Sequence, residues 1–316
     1  MTKPSGTKTV IYAALAGNLL VAITKFIAFG LTGSSAMLSE GVHSIVDTGN
    51  ELLLLYGLRQ SRVRPDRDHP LGHGRELYFW SFVVAVLVFA LGAGVSFYQG
   101  IVHLREPVEL RDPTVNYIVL AFAFAFEGFT WWVAVKALRA TKGSLGYIEA
   151  IRQSKDPSTF TVLLEDSAAL IGLLIAFVGI TTAHLLQRPA FDGAASIGIA
   201  LVLAFTAIFL ARETKGLLIG EPARKEVETS IRQIAESDPA VAHVNELFTV
   251  QIGPDNVVAS LNAEFQDQLT IPEIESIVNR LEDAIRSRHP EITALFVRPQ
   301  TAEAWRRRRP TLGEHQ

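Results

Sequence analysis

The 316 residues include no cysteine. That absence excludes disulfides, thiolate zinc sites, iron–sulfur clusters and cysteine nucleophiles, and it leaves the redox compartment open. Charge is scarce too: Asp, Glu, Lys and Arg make up 19% of the chain, and a net charge of −3 gives no electrostatic reason to expect nucleic-acid binding. Any metal chemistry must therefore use histidine, carboxylate and amide groups. What the chain has instead is apolar surface, with 49% hydrophobic residues and a mean hydropathy of +0.26. That is too apolar for an ordinary soluble enzyme of this length or for a disordered chain.

The apolar excess lies in the first two thirds. Runs close to the roughly 20 residues that cross a bilayer occur at about Val10–Thr32, Ala36–Leu58, Leu77–Gln99, Val115–Leu138, Phe160–His184 and Gly193–Ala211. The first begins too near the second, and lacks a small-residue cleavage site, to read as a signal peptide. The expectation is an α-helical membrane protein with six transmembrane helices. Lys3, Lys8, Arg59, Arg62, Arg64, Arg67, Arg75, Lys136, Arg139, Lys142, Arg152 and Lys155 fall on one side, against Arg105, Arg111 and Arg188 on the other. Twelve against three places both termini in the cytoplasm by the positive-inside rule.

The chain divides into a tail over 1–9, the membrane domain over 10–213, a cytoplasmic domain over 214–300 and a polar tail over 301–316 expected to be disordered. In the cytoplasmic part, Pro222 opens a predicted helix running to about Ser237. Val244–Ile252 and Val257–Phe265 flank the turn cluster Gly253-Pro254-Asp255-Asn256 and read as a hairpin. Pro272 opens a second helix to about Arg288, with Ile274, Ile277, Val278, Leu281 and Ile285 at helical spacing, and Thr293–Val297 is a last strand. The order αββαβ predicts a small ferredoxin-like two-layer domain. The run Arg306–Arg309 reads as a solvated terminus, with contact to anionic membrane lipid as the alternative.

Ionisable residues inside the spans carry the functional information, because an unpaired charge at mid-membrane costs several kcal/mol. His43 and Asp47 lie one turn apart on the second span, with Asn50 on nearly the same stripe. Glu165 and Asp166 sit in the fifth span, about 100° apart around the helix, so one of them is expected to face a site. Glu127 sits in the fourth. An imidazole and carboxylates converging from two helices make a three-ligand site for a divalent ion, completed by Asn50, Glu127 or water. The competing readings are a structural His43–Asp47 hydrogen bond, and for Glu127 a structural bond to a hydroxyl or to Lys25. A second constellation, Asp66, His69 and His73, falls in the loop after the second span, where prolines and glycines give the chain a defined shape. It is a candidate surface metal site.

Six spans, His43-Ser44-Ile45-Val46-Asp47, an acid pair on the fifth span, the Asp66…His69…Gly72-His73-Gly74 loop and Leu218-Ile219-Gly220-Glu221 leading into an αββαβ tail together resemble the cation diffusion facilitators. Within them, Glu165-Asp166-Ser167-Ala168-Ala169 with Asp47-Thr48-Gly49-Asn50 is similar to the branch that includes a mitochondrial zinc transporter. The resemblance implies a divalent-metal/proton antiporter, a secondary transporter and not an enzyme, with no cofactor and the metal as substrate. It implies His43 and Asp47 as one ligand pair and Asp166 as the aspartate of the other. The family's fourth ligand falls on Val162, a departure that Asn50, Glu127 or Glu165 would have to compensate. Family members with a regulatory metal cluster carry histidines at positions held here by Asn245, Asn262 and Val297, and His243 and His289 read as surface residues. The resemblance also implies a homodimer through the C-terminal domain.

The mechanism needs a site that takes up either metal or protons, and a histidine beside carboxylates supplies one: arriving metal expels protons, and protonation expels metal. Zinc is the first expectation, with manganese, cobalt and iron behind it. Short loops and the lack of a targeting extension favour a bacterial inner membrane. Two other classes compete. An intramembrane metal-dependent hydrolase would need an open coordination position and a general base beside a substrate cleft, and no His-Glu-x-x-His signature is present. A metal-sensing or scaffold protein would carry stronger ligands in its tail than in its membrane part.

Overall fold

The computed structural model describes residues 4–108 and 113–308. Lys3 and Arg111 of the charge comparison, and residues 309–316 of the expected tail, lie outside them. Long helices run over Pro4–Thr32 (α1), Ser35–Ser61 (α2), Arg75–Arg105 (α3), Thr114–Thr141 (α4), Pro157–Leu186 (α6) and Ala190–Ile219 (α7), with the short α5, Tyr147–Gln153, between α4 and α6. The helix α3 carries a π-helical turn at Val88–Ala93. By length and composition α3, α4, α6 and α7 are apolar enough to cross a membrane, and α1 contributes the shorter apolar stretch Gly17–Thr32. α2 is long enough at 27 residues; its polar stripe, described below, dilutes its hydropathy.

The chain forms two compact units, Met1–Gln60 with Glu76–Lys215, and Ser61–Arg75 with Gly216–Gln316. In the first, the helices are apolar on their outward faces as well as inward. Phe205, Leu185, Ile118 and Phe129 are exposed at 62% or more, as expected of helices solvated by lipid. Inside, Val21, Met37, Leu120, Leu173, Ile199 and Leu203 belong to one packed core.

The second unit holds α8 (Lys225–Glu236), β1 (Val241–Gly253), β2 (Asn256–Phe265), α9 (Ile271–Arg288), β3 (Ile292–Pro299) and α10 (Ala302–Arg308). The sheet order is β1-β2-β3. β1 and β2 are antiparallel, and Gly253 pairs with Asn256 across the two-residue turn Pro254–Asp255. β3 runs parallel to β2, from Val257↔Ile292 to Ala263↔Pro299, and α9 makes the crossover that parallel pairing requires. Alternate β2 residues Val257, Ala259, Leu261 and Ala263 bury against Ile231 of α8 and Ile277, Leu281 and Ile285 of α9. Thr270 and Glu273 close a capping box at the start of α9, with Pro272 in its first turn.

Several expectations need correction. Pro222 precedes α8 in an extended link, where the Glu221 carbonyl accepts from the Gln251 N–H at 2.8 Å. Residues 302–308 of the tail are helical and not disordered; Trp305 Nε1 donates to Glu246 Oε2 at 2.9 Å. His289 is no free surface residue: its Nε2 lies 2.7 Å from Ser230 Oγ and its Nδ1 3.4 Å from Glu291. The loop 61–75 groups with the C-terminal unit, whereas the sequence placed it within the membrane domain.

Candidate metal centre

The position of α2 is set by a carboxylate from another helix. Asp192, in the first turn of α7, accepts from Ser35 N–H at 2.5 Å, Ser35 Oγ at 2.8 Å and Ser34 Oγ at 2.6 Å. It fills donors that a helix start leaves orphaned and complements the N-terminal dipole. From that start, Glu40, His43, Asp47 and Glu51 follow at steps of three and four and share a face. α6 is started by Asp156, which accepts from Ser158 N–H at 3.0 Å, with Pro157 in the first turn.

A narrow cavity of about 20 Å³ lies among α1, α2, α4 and α6. Its wall includes Asp47 and Glu51 of α2, Glu127 of α4, Glu165 and Asp166 of α6, Asn18 of α1, and Val162. One water needs roughly 10–15 Å³ by the same measure, so the space admits a water or a bare ion and no organic solute. Glu51 Oε2, Glu127 Oε2 and Asp166 Oδ2 are buried without a hydrogen-bond partner among the described residues. Orphaned buried acceptors cost about 1–3 kcal/mol each, a cost that a cation in the cavity would offset for those it contacts.

The site residues read from the sequence fall at different depths around this space. Asp47, Asp166 and Glu165 stand on the wall, so both acids of the α6 pair face it and not one. His43 does not line the cavity; it is 1% exposed and its Nδ1 lies 3.2 Å from Asp47 Oδ1. Asn50 is buried behind Glu165, donating to Glu165 Oε1 at 2.7 Å. Glu127 makes the bond that the sequence left as an alternative, accepting from Lys25 Nζ at 2.8 Å. Val162, where the resemblance places a fourth ligand, is on the wall. Three participants were missed. Glu40 and Glu51 lie on the same α2 stripe as His43 and Asp47, a periodicity that was there to be read. Asn18, which donates to Glu51 Oε1 at 2.6 Å, is a single amide in an apolar run and gave no pattern.

The loop constellation is the tighter one. Among the described residues, Asp66, His69 and His73 are the group whose potential ligand atoms all lie within 4.8 Å of one another. Asp66 Oδ1 accepts from His69 N–H at 2.6 Å, while His69 Nδ1 lies 3.4 Å from Oδ1 and His73 Nε2 3.6 Å from Oδ2. The His69 N–H, and then the two nearby imidazoles, hold the exposed Asp66 carboxyl below its usual range. Gly74 ends the loop against the hairpin: a side chain there would collide with the Ile252 carbonyl oxygen and come within 3.0 Å of Gly253 Cα.

Residues 11–219 match the cation efflux transmembrane domain, and residues 223–298 match the cytoplasmic domain of cation efflux proteins. The proton-coupled zinc antiporter SLC30A9, mitochondrial, of Xenopus laevis is 32% identical over 84% of this chain and 48% of its own length. The human protein of the same name is 31% identical over 84% of this chain and 47% of its own length. The cation-efflux pump FieF of Escherichia fergusonii is 26% identical over 88% of this chain and 87% of the pump. The chain thus spans about half the length of the zinc antiporters it matches and most of the bacterial pump. With both of its domains matched over 11–219 and 223–298, this chain belongs to the cation efflux family.

Proposed function

We propose that the protein exports a divalent cation from the cytoplasm in exchange for protons, zinc first, with manganese, cobalt and iron as alternatives. The observation that carries this reading is the ion-sized cavity walled by carboxylates from α2, α4 and α6, with orphaned oxygens inside an apolar helical unit. Asp47 and Asp166 hold the ion. His43 is the imidazole of the set, in contact with Asp47 Oδ1 and orienting it as an outer partner orients a ligand. Glu165, braced by Asn50, stands in for the ligand missing at Val162. Metal and protons compete for the same oxygens, so alternating exposure of the site couples their flows. A cavity of about 20 Å³ gives a hydrolase no room for a substrate. The name of the mitochondrial zinc antiporters supports zinc and protons as the exchanged species.

The Asp66, His69 and His73 group serves as an accessory metal site on the cytoplasmic side. The C-terminal domain joins two copies into a homodimer; Phe248 and Phe296, 48% and 59% exposed, lie in one row across the sheet through Ser260 and offer an apolar face for that contact. Both termini are cytoplasmic, and the membrane is a bacterial inner membrane; the bacterial pump supports that placement, the mitochondrial relatives its alternative.

The test is metal flux into proteoliposomes carrying an internal pH dye, with zinc compared to manganese, for wild type and Asp47→Ala/Asp166→Ala. Metal entry matched by counter-movement of protons, and abolished in the variant, is the expected result. Absence of flux for every ion in folded, inserted protein would overturn the proposal and favour a sensor or scaffold.

A further inference from the structure

Five carboxylates border the cavity: Asp47, Glu51, Glu127, Glu165 and Asp166. A divalent cation needs only two negative charges to balance it. A transport site must bind strongly enough to load and weakly enough to release, and five carboxylates, once deprotonated, push it toward a trap.

Lys25 of α1 supplies fixed positive charge at this place. It is fully buried, with Nζ 2.8 Å from Glu127 Oε1, 3.0 Å from Glu40 Oε2 and 2.8 Å from Ser44 Oγ. Three acceptors use the full donor capacity of an ammonium. Glu127 and Ser44 line the cavity and Lys25 does not, so the ammonium stands just behind the wall. Glu40 is in turn backed by α6, where a side chain at Gly172 would collide with Glu40 Oε1. The clamp therefore joins α1, α2 and α4 and abuts α6. Holding helices together is one role for it, but a buried ion pair gains little over apolar packing of the same volume, and a charge at mid-membrane usually marks a task. One detail separates the roles: the ammonium grips Glu127, a residue of the cavity wall, through Oε1, while Oε2 is buried without a hydrogen-bond partner among the described residues.

We propose that Lys25 is a positioning residue that lowers the affinity of the cavity for its cation, by holding Glu127 back from coordination and by repelling the divalent ion, so that the ion can be released. The inference rests on the transport reading given above.

The experiment uses the full-length protein in proteoliposomes, with zinc chloride and manganese chloride as probes and initial rates taken against concentration. Lys25→Met, of similar length without charge, lowers the half-saturating concentration about tenfold and lowers the maximal rate as release slows. Lys25→Met/Glu127→Gln, which removes the freed carboxylate, returns the half-saturating concentration toward wild type. A lysine that only packs helices predicts a lower maximal rate or yield with half-saturation unmoved, and that result overturns the proposal. Should Lys25→Met not fold, Glu127→Gln alone decides. Half-saturation near wild type agrees with a carboxylate already withheld, whereas a tenfold rise would make Glu127 a ligand and overturn the proposal. Absent wild-type flux defeats the transport reading itself; normal wild-type flux with an unmoved Lys25→Met defeats only the role given to Lys25.

Discussion

At Val162 an isopropyl group faces the cavity one turn before Asp166, where the family resemblance implies a ligand. The remaining donors on the wall are oxygens, and the one imidazole nearby stands behind Asp47. Oxygen-only surroundings suit harder ions, and adding a nitrogen donor favours zinc. Val162→His should therefore raise the zinc-to-manganese preference in competition uptake; an unchanged ratio would place the coordinating atoms elsewhere. The same wall shows what the residue scale allowed the sequence to reveal. His43 and Asp47 were legible because two polar groups one turn apart in an apolar span form a pattern, and Glu165 and Asp166 because two adjacent acids interrupt one. Which oxygen is gripped and which left free was not legible. It depends on Lys25 and Asn18 reaching across from α1, and sequence separation hides such pairings.

At the scale of elements, turn chemistry and periodicity located the C-terminal domain well. Gly253-Pro254-Asp255-Asn256 marked the hairpin, and the spacing from Ile274 to Ile285 marked α9. Pro222 misled, because a proline three residues before a helix looks the same in sequence as one inside its first turn. Trp305, read as part of a polar tail, docks on β1 through Glu246, a contact with no local signature. The capping box of α9 carries a pH signature. The Thr270 N–H and hydroxyl hold the exposed Glu273 carboxyl below its usual range. A depressed carboxyl stabilises the folded state above its unfolded value of about 4.3 and loses that contribution as pH falls through the folded value. In hydrogen exchange, Glu273→Ala should speed exchange in the first turn of α9 near neutral pH, and the gap from wild type should close as the pH falls below the unfolded value and through the folded one. A gap independent of pH would mean that the carboxylate charge takes no part.

At the scale of the whole molecule, the division into an apolar helical part and a less apolar C-terminal α/β part was legible from hydropathy alone. The grouping of residues 61–75 with the C-terminal unit was not, since it depends on the close approach of Gly74 to the hairpin backbone. The side of the membrane on which each part lies rests on the bias of Lys and Arg, twelve against three. The absence of cysteine makes that side measurable, because any introduced thiol is the only one present. Ser287 is exposed on α9, and Arg188 is exposed in the turn between α6 and α7. With six spans and cytoplasmic termini these positions lie on opposite sides. A membrane-impermeant maleimide added to intact bacterial cells expressing the protein should label Arg188→Cys and leave Ser287→Cys unlabelled, and in inverted vesicles the pattern should reverse. Labelling of both from the same side would break the six-span arrangement. Labelling of Ser287→Cys alone in intact cells would keep six spans but invert them, turning the proposed export of metal into uptake.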